Sequence, residues 1–121
     1  AAVEHLGDIA DSLVIDIEDG RGDRKLLMFV VPSRGRALDQ DMEAAMSSAI
    51  RRALSPRFVP DRFIDAPGIP RTLSGKKQEL PIKRLFQGWP IAKVVNLEAI
   101  ANPEIIPWYS ARAKDWLDGA R

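Results

Sequence analysis

The chain has 121 residues, 45% of them hydrophobic and 29% charged, with a formal net charge of +1 and no cysteine. That is one ordinary domain with enough apolar material for a core. The missing cysteines exclude disulfides, thiolate metal sites and cysteine nucleophiles together.

The even net charge hides an asymmetry. Residues 1–50 carry 5 basic and 10 acidic side chains, whereas residues 51–84 carry 9 basic and 3 acidic ones. A basic segment inside a near-neutral chain suggests an anionic ligand or partner surface, and a solvated face with scattered counterions gives the same pattern. The longest apolar run, residues 26–31, is far too short to cross a bilayer. The start of the chain lacks the basic-then-apolar order of a signal peptide. A soluble, cytoplasmic protein without membrane association is therefore expected.

Residues 12–18 alternate, with Leu13, Ile15 and Ile17 on one face and Asp16 and Glu18 on the other. This spacing predicts a half-buried strand. Turn formers follow at 19–23. Residues 25–31 are then apolar on both faces, as in a central strand, and the two runs are expected to pair as a hairpin. Residues 39–54 read as a helix, since Met42, Ala45, Met46, Ala49, Ile50, Ala53 and Leu54 recur at three and four residues. Asp39 suits its N-cap, and Arg51 and Arg52 suit the negative end of its dipole. Met42 and Met46 are read as core.

A third short strand is expected after Pro60, with Phe58 and Phe63 as strand core, and a loop over 66–77. Pro81 fits the first turn of a helix through Phe86, ended by Gly88 and Pro90. Asn102 is a candidate N-cap with Pro103 behind it. Residues 104–117 then predict one or two helices, with Trp108, Tyr109 and Trp116, like Trp89, as packing anchors. The order predicts an α+β domain: a small, mainly antiparallel sheet of about three strands packed with helices.

The loop Pro70-Arg71-Thr72-Leu73-Ser74-Gly75-Lys76-Lys77 is unusual for a connector. Pro70 stiffens its entry, and Thr72 and Ser74 offer hydroxyls for local backbone bonds. Gly75 permits a backbone shape that other residues resist. Such a loop can fix Lys76, a compact cation suited to neutralising phosphate or carboxylate oxygens. It is not a Walker loop, because Pro70 and Lys77 stand where that motif needs Gly and Ser or Thr. On Ser-Gly-Lys alone, an exposed turn with two solvated lysines is the better account.

The longer string, residues 70–76, resembles the last core motif of the adenylate-forming superfamily. Residues 76–84, then Gly88-Trp89-Pro90, Val94-Val95-Asn96 and Asn102-Pro103-Glu104, resemble its acetoacetyl-CoA synthetase branch. Glu79 departs from the arginine of many superfamily members and marks the branch. The resemblance covers nearly the whole chain. It implies that residues 1–88 form the C-terminal lid domain of an AMP-forming acid–thiol ligase and that 89–121 form a helical extension on that domain.

The resemblance further implies ATP, magnesium and CoA as substrates or cofactor of a longer enzyme, with none bound tightly by this fragment. It implies acetoacetate as the acid, and an N-terminal adenylation domain of the same chain as partner. Lys76 is then the catalytic residue, with Pro70, Arg71, Thr72, Ser74 and Gly75 supporting its loop. The family's spacing places a CoA-binding arginine at Arg51, ahead of Arg52 and Arg57. Complementing the helix dipole accounts for Arg51 equally well. Relatives undergo reversible acylation of the loop lysine, which at Lys76 would remove the charge and block adenylation. The family's hinge is expected just before a helix that residues 1–6 end, and the fragment alone is expected to be inactive.

His5, the only histidine, lacks partners at metal-ligand spacing. No metal site is expected: Asp16, Glu18, Asp19 and Asp23 do not fit a calcium loop. No Gly-x-Ser-x-Gly elbow supports a hydrolase. Two alternatives stay open: a synthetase for another short acid such as acetate, and a basic module for nucleic acid or an acidic partner. The second is disfavoured, because residues 51–84 lack interleaved aromatics apart from Phe58 and Phe63.

Overall fold

A computed structural model of the chain describes residues 6–119. Of residues 1–6, read as the end of a helix, residues 1–5 lie outside the described residues, as does His5, and Leu6 is in a bend. Among the described residues the strands are β1 (Ile9–Glu18), β2 (Arg24–Pro32) and β3 (Arg62–Asp65). The α-helices are α1 (Gln40–Ala53), α2 (Glu79–Phe86), α3 (Ile91–Val94) and α4 (Ile106–Gly119). The fold is the expected α+β, with one three-stranded sheet in the order β1-β2-β3. Two compact units share the chain, residues 1–14 with 26–68 and residues 15–25 with 69–121.

In the first unit, β2 buries Leu27, Met28, Phe29 and Val30 on both faces, as its unbroken apolar run requires of a central strand. The sheet is mixed. The turn between β1 and β2 is closed by the Asp19 N–H on the Asp23 carbonyl at 2.8 Å. So short a connection between neighbouring strands makes them antiparallel. β3 instead runs parallel to β2, with Leu27 opposite Arg62 and Val30 opposite Asp65. The reason is the crossover: α1 carries the chain back before β3 begins. Asp61 sets the start of β3 by exchanging two bonds with Leu26, its N–H to the Leu26 carbonyl and its carboxylate from the Leu26 N–H.

α1 is capped as expected, the Asp39 carboxylate accepting from the Met42 N–H at 2.8 Å. Such a cap contributes roughly 1 kcal/mol. Met42, Met46 and Ile50 join Ile9, Met28 and Val30 in the core, and Phe63 packs partly against it. The predicted stripe is narrower in fact. Ala45, Ala53 and Leu54 are exposed, so the buried stripe is Met42, Met46, Ala49 and Ile50. Phe58 is also exposed, in a one-turn 3-10 segment, Pro56–Phe58, rather than in a strand. Pro56 begins that turn and postpones β3 until after Pro60.

In the second unit, α2 buries Ile82, Leu85 and Phe86, and α4 buries Ile106, Tyr109 and Ala113. The two helices pack on one another. Pro81 sits in the first turn of α2, where its missing N–H costs nothing. Tyr109 is fully buried and meets Trp108 edge-on, with ring centroids 4.8 Å apart. Trp89 departs from its expected role as a packing anchor. It is exposed and lies under the Arg84 guanidinium, 4.9 Å from ring centroid to Arg84 Cζ. No helix among the described residues is long and apolar enough to cross a membrane.

Candidate functional site

The segment expected as a loop is a tight hairpin built on the second unit. Its legs pair at Arg71 and Lys77, and the Gln78 N–H closes the base on the Pro70 carbonyl at 3.0 Å. The tip is Leu73-Ser74-Gly75. The Gly75 N–H donates to the Thr72 carbonyl at 2.9 Å, and Gly75 takes φ 91°. This is a three-residue hairpin connection, a turn followed by one left-handed residue. Glycine is the residue that enters that region without a Cβ penalty.

Thr72 fixes the backbone of Lys76. Its N–H donates to the Lys76 carbonyl at 2.8 Å, and its hydroxyl accepts from the Lys76 N–H at 3.0 Å. The same hydroxyl lies 3.0 Å from that of Ser74. The Arg71 guanidinium donates to the Gly75 carbonyl at 2.8 Å. Thus Arg71, Thr72, Ser74 and Gly75 bond to one another within the turn that leads into Lys76, and Pro70 closes the base of the hairpin through Gln78. The Lys76 side chain is exposed, and among the described residues no acidic group pairs with its ammonium. The sequence contained the reason: short hydroxyl residues and a glycine at the right offsets give the turn its bonds without any side chain from elsewhere.

A second layer comes from residues 99–102. The Leu73 N–H donates to the Ala99 carbonyl at 3.2 Å, and the Ala101 N–H to the Arg71 carbonyl at 2.9 Å. Thr72 and Ile100 form the antiparallel bridge between them. Asn102 does not cap the following helix with its side chain. It donates from Nδ2 to the Ile69 carbonyl at 2.9 Å and accepts at Oδ1 from the Arg71 N–H at 3.1 Å. Sequence reasoning missed this, since Asn-Pro is also an ordinary way to open a helix.

Arg51 is exposed in the last turn of α1, in the first unit, beside the equally exposed Arg52. Its placement serves the helix dipole and leaves its guanidinium open to a ligand. Arg57 lies 5.8 Å from the centroid of the exposed Phe58 ring.

The second unit also holds an open cleft of about 1040 Å³, lined by Asp16, Arg24, Lys83, Trp89 and Trp116 among others. At its wall Asp16 accepts from Lys83 Nζ at 2.9 Å and pairs with Arg24. The Lys83 bond first, and the Arg24 bond second, hold the Asp16 carboxyl below its ordinary range. The hairpin carrying Lys76 does not line this cleft.

No protein-family model matches the chain. The acetoacetyl-coenzyme A synthetase of Rhizobium meliloti is 35% identical over 108 residues, 89% of this chain and 16% of that protein. The solved acetoacetyl-CoA synthetase from Streptomyces lividans superposes with a TM-score of 0.86 at 42% identity, covering 94% of this chain and 17% of that one. A benzoate CoA ligase from Burkholderia xenovorans shares the fold, with a TM-score of 0.59 at 21% identity over 68% of this chain. The chain thus spans about 16% of the length of the curated relatives it matches.

Proposed function

We propose that this chain, which belongs to the acetoacetyl-CoA synthetase family of adenylate-forming enzymes, is the C-terminal lid domain of a longer acetoacetate–CoA ligase. The observation that supports this reading best is the hairpin. It presents one exposed lysine ammonium on a backbone held by hydrogen bonds at both its N–H and its carbonyl. A fixed cation of that kind is what an acyl-adenylation step needs.

The reaction runs in two steps. A carboxylate oxygen of acetoacetate attacks the α-phosphorus of ATP, and pyrophosphate leaves. The CoA sulfur then attacks the acyl carbon, and AMP leaves. In the first step Lys76, as the catalytic residue, meets carboxylate and phosphate oxygens whose charge shifts in the transition state. A preorganised cation there lowers the barrier. Pro70, Arg71, Thr72, Ser74 and Gly75 keep that cation in place. In the second step the lid has turned, Lys76 is withdrawn, and Arg51 offers its guanidinium to the CoA nucleotide.

The N-terminal domain of the same chain is the partner and supplies the acid and nucleotide pockets. Among the described residues no group of three or more acidic or imidazole side chains could hold a metal ion. Magnesium arrives with ATP. Residues 1–88 form the lid, and 89–121 an extension that braces its hairpin. The enzyme works in the cytoplasm without nucleic acid or membrane, and this fragment alone is inactive. The test is ATP–pyrophosphate exchange by the full-length protein with acetoacetate, acetate and butyrate. Exchange that prefers acetoacetate supports the reading; preference for another acid, or none at all, contradicts it.

A further inference from the structure

We infer that Asn102 is a positioning residue for Lys76: its side-chain amide clamps the peptide groups on both sides of Pro70 and so fixes the root of the hairpin. The inference rests on the role proposed above for Lys76.

Proline at the root of a hairpin leg has a cost. Pro70 has no N–H, so the leg lacks a backbone donor where it leaves the core. Its neighbours would then need other partners. Asn102 supplies both at once. Nδ2 donates to the Ile69 carbonyl at 2.9 Å, and Oδ1 accepts from the Arg71 N–H at 3.1 Å. A primary amide carries a donor and an acceptor side by side, as a peptide group does, so it can act as one more rung of sheet. Ile69 and Pro70 are buried, so the root is anchored in packed side chains. The bonds of Ala101 to Arg71 and of Leu73 to Ala99 continue the same pairing towards the tip.

Residue type matters here. Aspartate keeps the acceptor for the Arg71 N–H but sets a carboxylate oxygen against the Ile69 carbonyl. Alanine removes both bonds. In either case the leg that positions Thr72 is released at its base, and Thr72 is the residue that holds Lys76. Misplacing a catalytic group by about 1 Å from afar can cost on the order of 100-fold in rate. The side-chain bonds of Asn102 go to Ile69 and Arg71, not to Lys76.

The experiment uses the full-length enzyme with N102A, N102D and K76A side by side. Adenylation is read by pyrophosphate exchange, and thioester formation from supplied acyl-adenylate. Amide hydrogen exchange across residues 69–78 reports the hairpin. N102A is expected to lower kcat for adenylation roughly 10-fold or more, with KM for acetoacetate and ATP little changed. Thioester formation should stay within about twofold of wild type, and exchange should quicken at Arg71 and Thr72. N102D, which keeps the bond to the Arg71 N–H but opposes a carboxylate oxygen to the Ile69 carbonyl, should also lower adenylation and spare thioester formation, and it carries the comparison if N102A does not accumulate folded. Equal losses in both half-reactions, or unchanged adenylation with K76A inactive, overturn the role of Asn102 alone. K76A that retains adenylation overturns the role of Lys76 and this inference with it.

Discussion

Thr72 grips Lys76 from two sides, taking the Lys76 N–H on its hydroxyl and giving its own N–H to the Lys76 carbonyl. One residue thereby sets the direction in which the lysine leaves the hairpin. Replacing Thr72 with valine keeps the branched shape but strips the acceptor from the Lys76 N–H. T72V should lower adenylation about 10-fold, in line with the cost of a small misplacement. T72S should recover most of it, since the hydroxyl returns. Pyrophosphate exchange on the full-length variants checks both, and equal rates for T72V and T72S would show that the hydroxyl is idle.

Gly75 makes the turn possible. At φ 91° a Cβ would meet no atom within 4 Å, so the cost of adding one is backbone strain alone. G75A is expected to destabilise by about 1–2 kcal/mol, and G75N by less, because asparagine tolerates this region better. Thermal denaturation of the two variants measures the difference. Identical melting of G75A and wild type would mean that the turn relaxes freely.

The Asp16 ion pairs predict a modest acid sensitivity. The Asp16 carboxyl is held below its ordinary value of 3.8, first by Lys83 and then by Arg24. A depressed carboxyl contributes stability above the unfolded value, and the contribution is lost as pH falls through the folded one. The window therefore lies below about pH 4. The side chains of Asp16 and Arg24 are 30% and 74% exposed, so solvent screening keeps the effect to about 1 kcal/mol or less. K83A should raise the Asp16 pKa towards 3.8, as followed by carboxyl titration, and D16N should flatten this part of the acid limb. An unmoved Asp16 titration in K83A would contradict the assigned cause.

Met46 on α1 and Leu54 at its C-cap test which part of the apolar stripe is core. Met46 is fully buried and Leu54 is 61% exposed. M46A should cost roughly 2–5 kcal/mol through lost burial and a cavity, and L54A less than about 0.5 kcal/mol. Denaturant melts separate the two outcomes, and comparable losses would show that Leu54 is covered.

Much of this was legible in the sequence, for local reasons. Alternation at Leu13, Ile15 and Ile17, the unbroken run through Phe29, and the cap at Asp39 each act over a few residues. So do Thr72, Ser74 and Gly75, whose bonds close within the turn they form. Long-range choices were not legible. The parallel direction of β3 depends on how the chain returns after α1, and Phe58 was displaced from the strand by a 3-10 turn at Pro56. Asn102 is the clearest case. Its neighbours suggest a helix cap, and its partners, Ile69 and Arg71, lie more than thirty residues away.

Lys76 is expected to serve adenylation and not thioester formation. The most direct measurement compares both half-reactions in full-length wild type and K76A. Pyrophosphate exchange should fall by at least about 100-fold, the scale of losing one preorganised electrostatic contact. Transfer of the acyl group to CoA from supplied acyl-adenylate should stay within a few-fold of wild type. Adenylation that survives in K76A, or two half-reactions lost together, would contradict the account.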